Sequence, residues 1–197
     1  MPLDFLTVFI SLFVVIDPLI AIPTFLALFG KADRAKQKKA ALEASVAALL
    51  LLVVFAAFGT AILERMSVSL PAFMVAGGLL LLYLSFEFIK GELPRTRTVE
   101  KDPSEVIVPI ATPLLAGPGA ITTSIYFTHT YGADVTMAAI FFVCFFCFFF
   151  LYYSTRIVKA VGNNGLRIMT RIMGLLTAAI AISLIERALV LWGLLVL

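Results

Sequence analysis

Asp17-Pro18-Leu19-Ile20-Ala21-Ile22-Pro23 sits in the middle of the first apolar run of the chain. A second apolar run carries Thr112-Pro113-Leu114-Leu115-Ala116-Gly117-Pro118, followed by Gly119, with Thr112 standing 95 positions after Asp17. The two stretches match: the paired prolines have the same spacing, and Leu and Ala recur between them. Proline removes a backbone N–H and clashes with the carbonyl one turn back. Two prolines this close, with Gly117 and Gly119 beside the second pair, predict about one unwound helical turn in each run. Inside a bilayer, unwound backbone survives only where protein covers it or where it lines a cavity. Broken helices at corresponding places in two halves of a chain point to a central binding site.

The chain has 197 residues, 62% of them hydrophobic and 14% charged, with a mean hydropathy of +1.09. That is more apolar than a soluble core requires. Runs of about 20 apolar residues can span a bilayer. The expected fold is therefore an all-α polytopic membrane protein forming one transmembrane domain over 1–197. No basic n-region precedes the first apolar run, so no signal peptide is expected.

Six segments are expected, at about 4–29, 42–63, 70–90, 106–128, 134–155 and 168–192. The connections alternate in charge. Lys31, Arg34, Lys36, Lys38 and Lys39 follow the first segment; Arg95, Arg97 and Lys101 follow the third; Arg156, Lys159 and Arg167 follow the fifth. On the other side stand only Arg65 and a connection from His129 to Asp134 without Lys or Arg. By the positive-inside rule the basic loops face the cytoplasm and both termini face outward. Topology alone accounts for these basic runs, so no nucleic-acid partner is expected. The loop at about 91–105 divides repeat 1 (about 1–90) from repeat 2 (about 106–197). Three spans is an odd number, so the second repeat enters the membrane inverted. Gly77-Gly78 and Gly174 recur at a similar offset.

Asp17 is the most informative side chain, because a carboxylate in mid-span must face the bundle interior, water or a partner. Two readings stand side by side. One is a site for a substrate amine, a cation or a proton. The other is a cap on the half-helix after Pro18. Thr112, its counterpart, can cap but carries no charge. Gly117 and Gly119 allow close approach to the backbone. A half-helix starting near Gly119 aims N–H groups and its positive end into the break, which suits a carboxylate. Thr122, Thr123 and Ser124 add hydroxyls one turn on, although helix packing alone also uses such residues. Pro18, Pro23, Pro113 and Pro118 are the expected break and hinge positions. Together the two breaks suit a zwitterion.

Glu87 near Lys90, and Glu186 with Arg187, are read as interfacial or snorkelling charges. Cys144 and Cys147 have C-x-x-C spacing but lie in the Phe141–Phe150 run without basic neighbours, so they are read as filler. No metal cluster, nucleotide loop or nucleophile–base pair is seen, so neither an enzyme nor a cofactor is expected.

With these motifs, Asp17-Pro18…Pro23 and Pro113-Leu114-Leu115-Ala116-Gly117-Pro118-Gly119-Ala120-Ile121, the chain resembles the MarC family of bacterial and archaeal membrane proteins. The resemblance covers length, six spans and both motifs. It departs at Ile20, where the family often has glycine. It implies transport of neutral amino acids such as glycine, alanine or serine across the cell (inner) membrane, in a family placed near the lysine-exporter superfamily. The expectation is a secondary transporter working by alternating access between broken spans 1 and 4, with a proton or sodium as the open choices of coupling ion. The alternatives are a passive small-solute channel and a non-transporting scaffold. The expected partners are lipid and a small solute, and the Phe-rich fifth span leaves room for a homo-oligomer.

Overall fold

The computed structural model describes residues 2–90 and 115–195. Among the described residues all regular structure is helical: α1 (Pro2–Ile16), α2 (Pro18–Phe29), α3 (Arg34–Arg65), α4 (Leu70–Lys90), α5 (Pro118–Tyr131), α6 (Ala133–Tyr152) and α7 (Ser154–Leu191). Five segments are long and apolar enough to cross a membrane: Leu3–Phe29, Arg34–Arg65, Leu70–Lys90, Ala133–Tyr152 and Asn164–Leu191. The first of them joins α1 and α2. The fourth expected segment, at about 106–128, begins outside the described residues, and α5 is the described helix that falls on it. Thr112, Pro113 and the expected linker at 91–105 also lie outside them.

Helix boundaries differ from the expected membrane segments in two places. The basic stretch after α2 is helical from Arg34, because the Asp33 side chain accepts from the Lys36 N–H at 2.7 Å and caps α3. The expected connection between the fifth and sixth segments is also mostly helical, interrupted at Gly162, whose φ of 72° is a left-handed value that glycine adopts without penalty. Apolar onset marks where a chain can enter lipid. Capping chemistry marks where its helix starts, and here the two lie several residues apart.

Packing follows the small residues. A Cβ on Gly78 would meet the Ile185 side chain and the Ala181 carbonyl, and a Cβ on Gly174 would meet Phe88, the Ser85 carbonyl and Ile89. α4 and α7 thus approach backbone to backbone, the arrangement small residues permit between membrane helices. α5 is the central element and packs on α1, α3, α4 and α6. Ile125 abuts Gly59 of α3, while Thr122 and Gly119 abut Gly77 and Leu81 of α4.

α6 places the C-x-x-C cysteines on its buried face. Ala139, Ile140, Val143, Cys144, Cys147 and Leu151 form its buried stripe, at helical spacing, while Phe141, Phe142, Phe145 and Phe149 are exposed. Both cysteines are free thiols inside the bundle. They face its interior and fill it beside the aromatic run. On α1, Phe5, Phe9 and Phe13 meet Phe142, Phe146 and Phe150 edge-on, with centroids 5.9–6.5 Å apart. Each such pair adds about 0.5–1.5 kcal/mol beyond its buried area. This ladder holds α1 against α6 and leaves the opposite side of α1 to face α5 and α7.

Candidate functional site

The first span breaks at one residue. Asp17 has φ 45° and ψ 73°, the left-handed region that Asp tolerates better than most side chains. Its N–H still donates to the Phe13 carbonyl at 2.9 Å, so α1 is closed to its last turn. Its Oδ1 accepts from the Ile20 N–H at 3.1 Å and caps α2. Pro18 takes the first position of α2, where a missing N–H costs least. The expected unwound turn therefore contracts to a single-residue kink. Pro23 does not break the chain either, since α2 runs through it to Phe29. The cap and the fixed φ of Pro18 nucleate α2, and packing holds it.

Pro18 also leaves the Val14 carbonyl without the N–H that would close its turn. The Thr177 hydroxyl of α7 donates to that carbonyl, at 3.4 Å. A side chain from the last helix thus stands in for the missing donor and ties α7 to the kink. This repair is how irregular backbone is accommodated at membrane depth.

The start of α5 has another construction. Leu115 and Ala116 form a turn, and Gly117 precedes α5 in extended conformation with φ −66° and ψ 169°. No side chain caps α5. Pro118 has no N–H to satisfy, so the uncapped donors of the first turn are those of Gly119 and Ala120. The Ile121 N–H donates to the Gly117 carbonyl at 3.1 Å and begins the regular ladder.

A cavity of about 80 Å³ lies between the two breaks. One water needs roughly 10–15 Å³ by the same measure, so the space suits a small solute or a few waters. Asp17, Gly117, Gly119, Ala120 and Thr177 line it, among apolar walls that include Ile20, Leu81 and Leu115. Asp17 is 4% exposed, and its Oδ2 has no hydrogen-bond partner. Asp17 thus stands at one side of the cavity and the uncapped, electropositive end of α5 at another.

Of the residues singled out in the sequence, Asp17, Gly117 and Gly119 come together at this cavity, with Ile20 beside them. Thr122 and Ser124 turn away. Their hydroxyls donate to the Pro118 and Ala120 carbonyls one turn back, at 2.8 and 2.7 Å. Thr123 is buried on a different cavity. Pro18 and Pro118 start α2 and α5, while Pro23 lies inside α2. Thr177 is the residue that sequence reading missed. Its only signal is a hydroxyl in mid-span, three residues after Gly174. Arg187 also departs from expectation: its Nη1 donates to the Tyr126 hydroxyl at 2.5 Å, so it turns into the bundle instead of snorkelling.

Helices long and apolar enough to cross a membrane, and a first span kinked at a buried carboxylate, define a polytopic integral membrane protein. Residues 3–192 match the MarC family of integral membrane proteins, and the chain belongs to that family. Relatives are spread over bacteria and archaea. A UPF0056 membrane protein of Methanocaldococcus jannaschii is 32% identical over 92% of this chain and 93% of its own. One of Aquifex aeolicus is 31% identical over 92% and 90%, and UPF0056 membrane protein YhcE of Escherichia coli is 30% identical over 90% and 87%. No solved structure matches the chain.

Proposed function

We propose that this protein is a secondary transporter of small zwitterionic solutes, with neutral amino acids such as glycine, alanine and serine as the best match to its site. The observation that carries the reading is that Asp17, a buried residue whose Oδ2 has no hydrogen-bond partner, lines the same small cavity as the uncapped start of α5. A carboxylate attracts an ammonium group, and a helix N-terminus attracts a carboxylate. A cavity this size admits a solute with few atoms beyond those two groups. The coupling ion, proton or sodium, would act at Asp17 as well, since Asp17 is the charged side chain on the cavity wall.

The reading includes six spans arranged as two inverted repeats in the cell membrane, with basic loops cytoplasmic and termini outside. Two observations support the repeat. Gly174, Ala181 and Ile185 stand 96 positions after Gly78, Ser85 and Ile89, and the contacts are reciprocal: Gly78 meets Ala181 and Ile185, while Gly174 meets Ser85 and Ile89. The helix pairing also exchanges under the same relation. α1 and α2 pack on α6 as α3 packs on α5, and α2 packs on α7 as α5 packs on α4. The charge pattern of the loops supports the orientation.

The test is uptake of radiolabelled glycine, alanine and serine into proteoliposomes, with and without imposed proton and sodium gradients. Saturable uptake that is driven by one gradient, and lost in Asp17→Asn and Gly117→Leu, is expected. Linear, gradient-independent flux would make the protein a channel. Absence of flux from folded protein would remove the transport reading.

A further inference from the structure

A second cavity, with more polar side chains than the first, lies on helices α1, α5 and α7, which the first also touches. It has a volume of about 120 Å³, and its polar lining comes from Thr7 and Ser11 of α1, Thr123 and Tyr126 of α5, and Ser183 and Arg187 of α7. The two cavities are stacked. α1 carries Val15 at the first and Ser11 and Thr7 at the second; α5 carries Gly119 and then Thr123; α7 carries Thr177 and then Arg187. At about 1.5 Å per residue, Thr177 and Arg187 are roughly 15 Å apart along α7. The second cavity is on the side of both chain termini.

Arg187 gives this cavity its character. Its Nη1 donates to the Tyr126 hydroxyl, and its guanidinium carbon is 5.4 Å from the centre of that ring. The Tyr131 hydroxyl is also within its reach. Tyrosine hydroxyls orient a guanidinium but do not neutralise it. Among the described residues no carboxylate pairs with Arg187. Glu186 is its neighbour in sequence, and adjacent helical positions face different ways. Of the five guanidinium donors, those that the tyrosines leave can form the planar fork that fits a carboxylate. Thr123, 1% exposed, has an Oγ1 without a hydrogen-bond partner on the same cavity. Arg187 is partly buried about one turn before the end of α7, and it lines the cavity with a guanidinium that no described carboxylate neutralises, beside an unused buried hydroxyl.

We propose that Arg187, oriented by Tyr126 and assisted by Thr123, is a carboxylate-binding station on the terminal side of the central cavity, through which a small carboxylate-bearing solute reaches Asp17 and α5. This rests on the transport reading above for its purpose but not for its chemistry. The station selects by negative charge. The central cavity then adds the requirement for an amine.

Thiol labelling separates the two ideas. Ser11→Cys in a Cys144→Ser, Cys147→Ser background places a reactive group on the cavity wall, and membrane-impermeant anionic and cationic methanethiosulfonates are applied from outside. The anionic reagent is expected to react faster by about fivefold, the scale of one charge at close range. Glycine and acetate should slow it, and ethylammonium should not. Arg187→Gln should abolish the preference and Arg187→Lys should keep it, with elution as a single folded species checked for both. An unchanged preference in Arg187→Gln, no protection by acetate, or no labelling at all would overturn the station. Labelling as expected with no amino-acid uptake would remove only the transport reading. Uptake with no charge preference would remove only the station.

Discussion

The kink in the first span and the start of α5 meet at one cavity and are built in opposite ways. The first bends at Asp17, and the side chain that bends it also caps the helix that follows, through one carboxylate oxygen at 3.1 Å from the Ile20 N–H. The helix α5 starts after Gly117, which has no side chain, and is left uncapped. One break satisfies its own backbone and presents a spare anionic oxygen. The other presents spare N–H donors and the positive end of a helix dipole. A chain with two similar proline motifs thus builds a cavity with two electrostatically different walls. The two walls come from different positions of the motifs: Asp17 stands before the first proline of its pair, and Gly117 before the second of its own.

The largest expected effect on this contrast comes from Asp17→Asn. Asparagine tolerates the left-handed backbone and keeps the capping oxygen, so folding should be nearly unchanged while amino-acid uptake falls by tenfold or more, about 1.4 kcal/mol at least in the transport barrier. Full uptake in a folded Asp17→Asn protein would show that the charge is not what distinguishes the two walls.

Gly119→Ala tests the other wall. A Cβ there would enter the space of the Leu81 side chain. Overpacking of that kind costs about 1–3 kcal/mol, read as a lower unfolding temperature in detergent, and Leu81→Ala in the same chain should restore part of it. Next in size is the difference between Asp17→Ala and Asp17→Asn. Both lack the charge, so the comparison isolates backbone and cap, and alanine should be less stable by about 1–2 kcal/mol. A null difference would mean that tertiary packing alone holds the kink.

The smallest pair sharpens the assignment of hydroxyls. Thr177→Val leaves the Val14 carbonyl without its donor and should cost about 1 kcal/mol, since a buried carbonyl loses a partner it cannot replace. Thr122→Val removes a bond to the Pro118 carbonyl within one helix and should cost at most about 0.5 kcal/mol, with uptake intact. Loss of uptake in Thr122→Val would place that hydroxyl back at the ligand.

Asp17, Gly117 and Gly119 were legible because each violates a membrane-helix rule that sequence displays directly: a charge in an apolar run, or glycine beside proline. Thr122 was ambiguous for the converse reason, and the structure turns its hydroxyl to the Pro118 carbonyl. A threonine in a helix can point to a ligand or to its own backbone, and only the rotamer distinguishes these. Thr177 and Arg187 were hidden because their partners, Val14 and Tyr126, lie on other helices. Pro23 was read as a break because proline disfavours helix interiors, yet packing on α6 and α7 keeps α2 helical through it.

The amino-acid sequence by itself determined that this is a helical membrane protein with matched proline motifs, because hydropathy, segment length and proline chemistry act locally along the chain. It also placed the carboxylate on one motif and the glycines on the other. Only the tertiary structure decided that the first break is a single residue, that Thr177 replaces the donor Pro18 lacks, and that Arg187 turns inward. Those outcomes depend on which helices lie side by side, and that is fixed by close approach at Gly77, Gly78, Gly119 and Gly174, where small residues bring distant segments into contact.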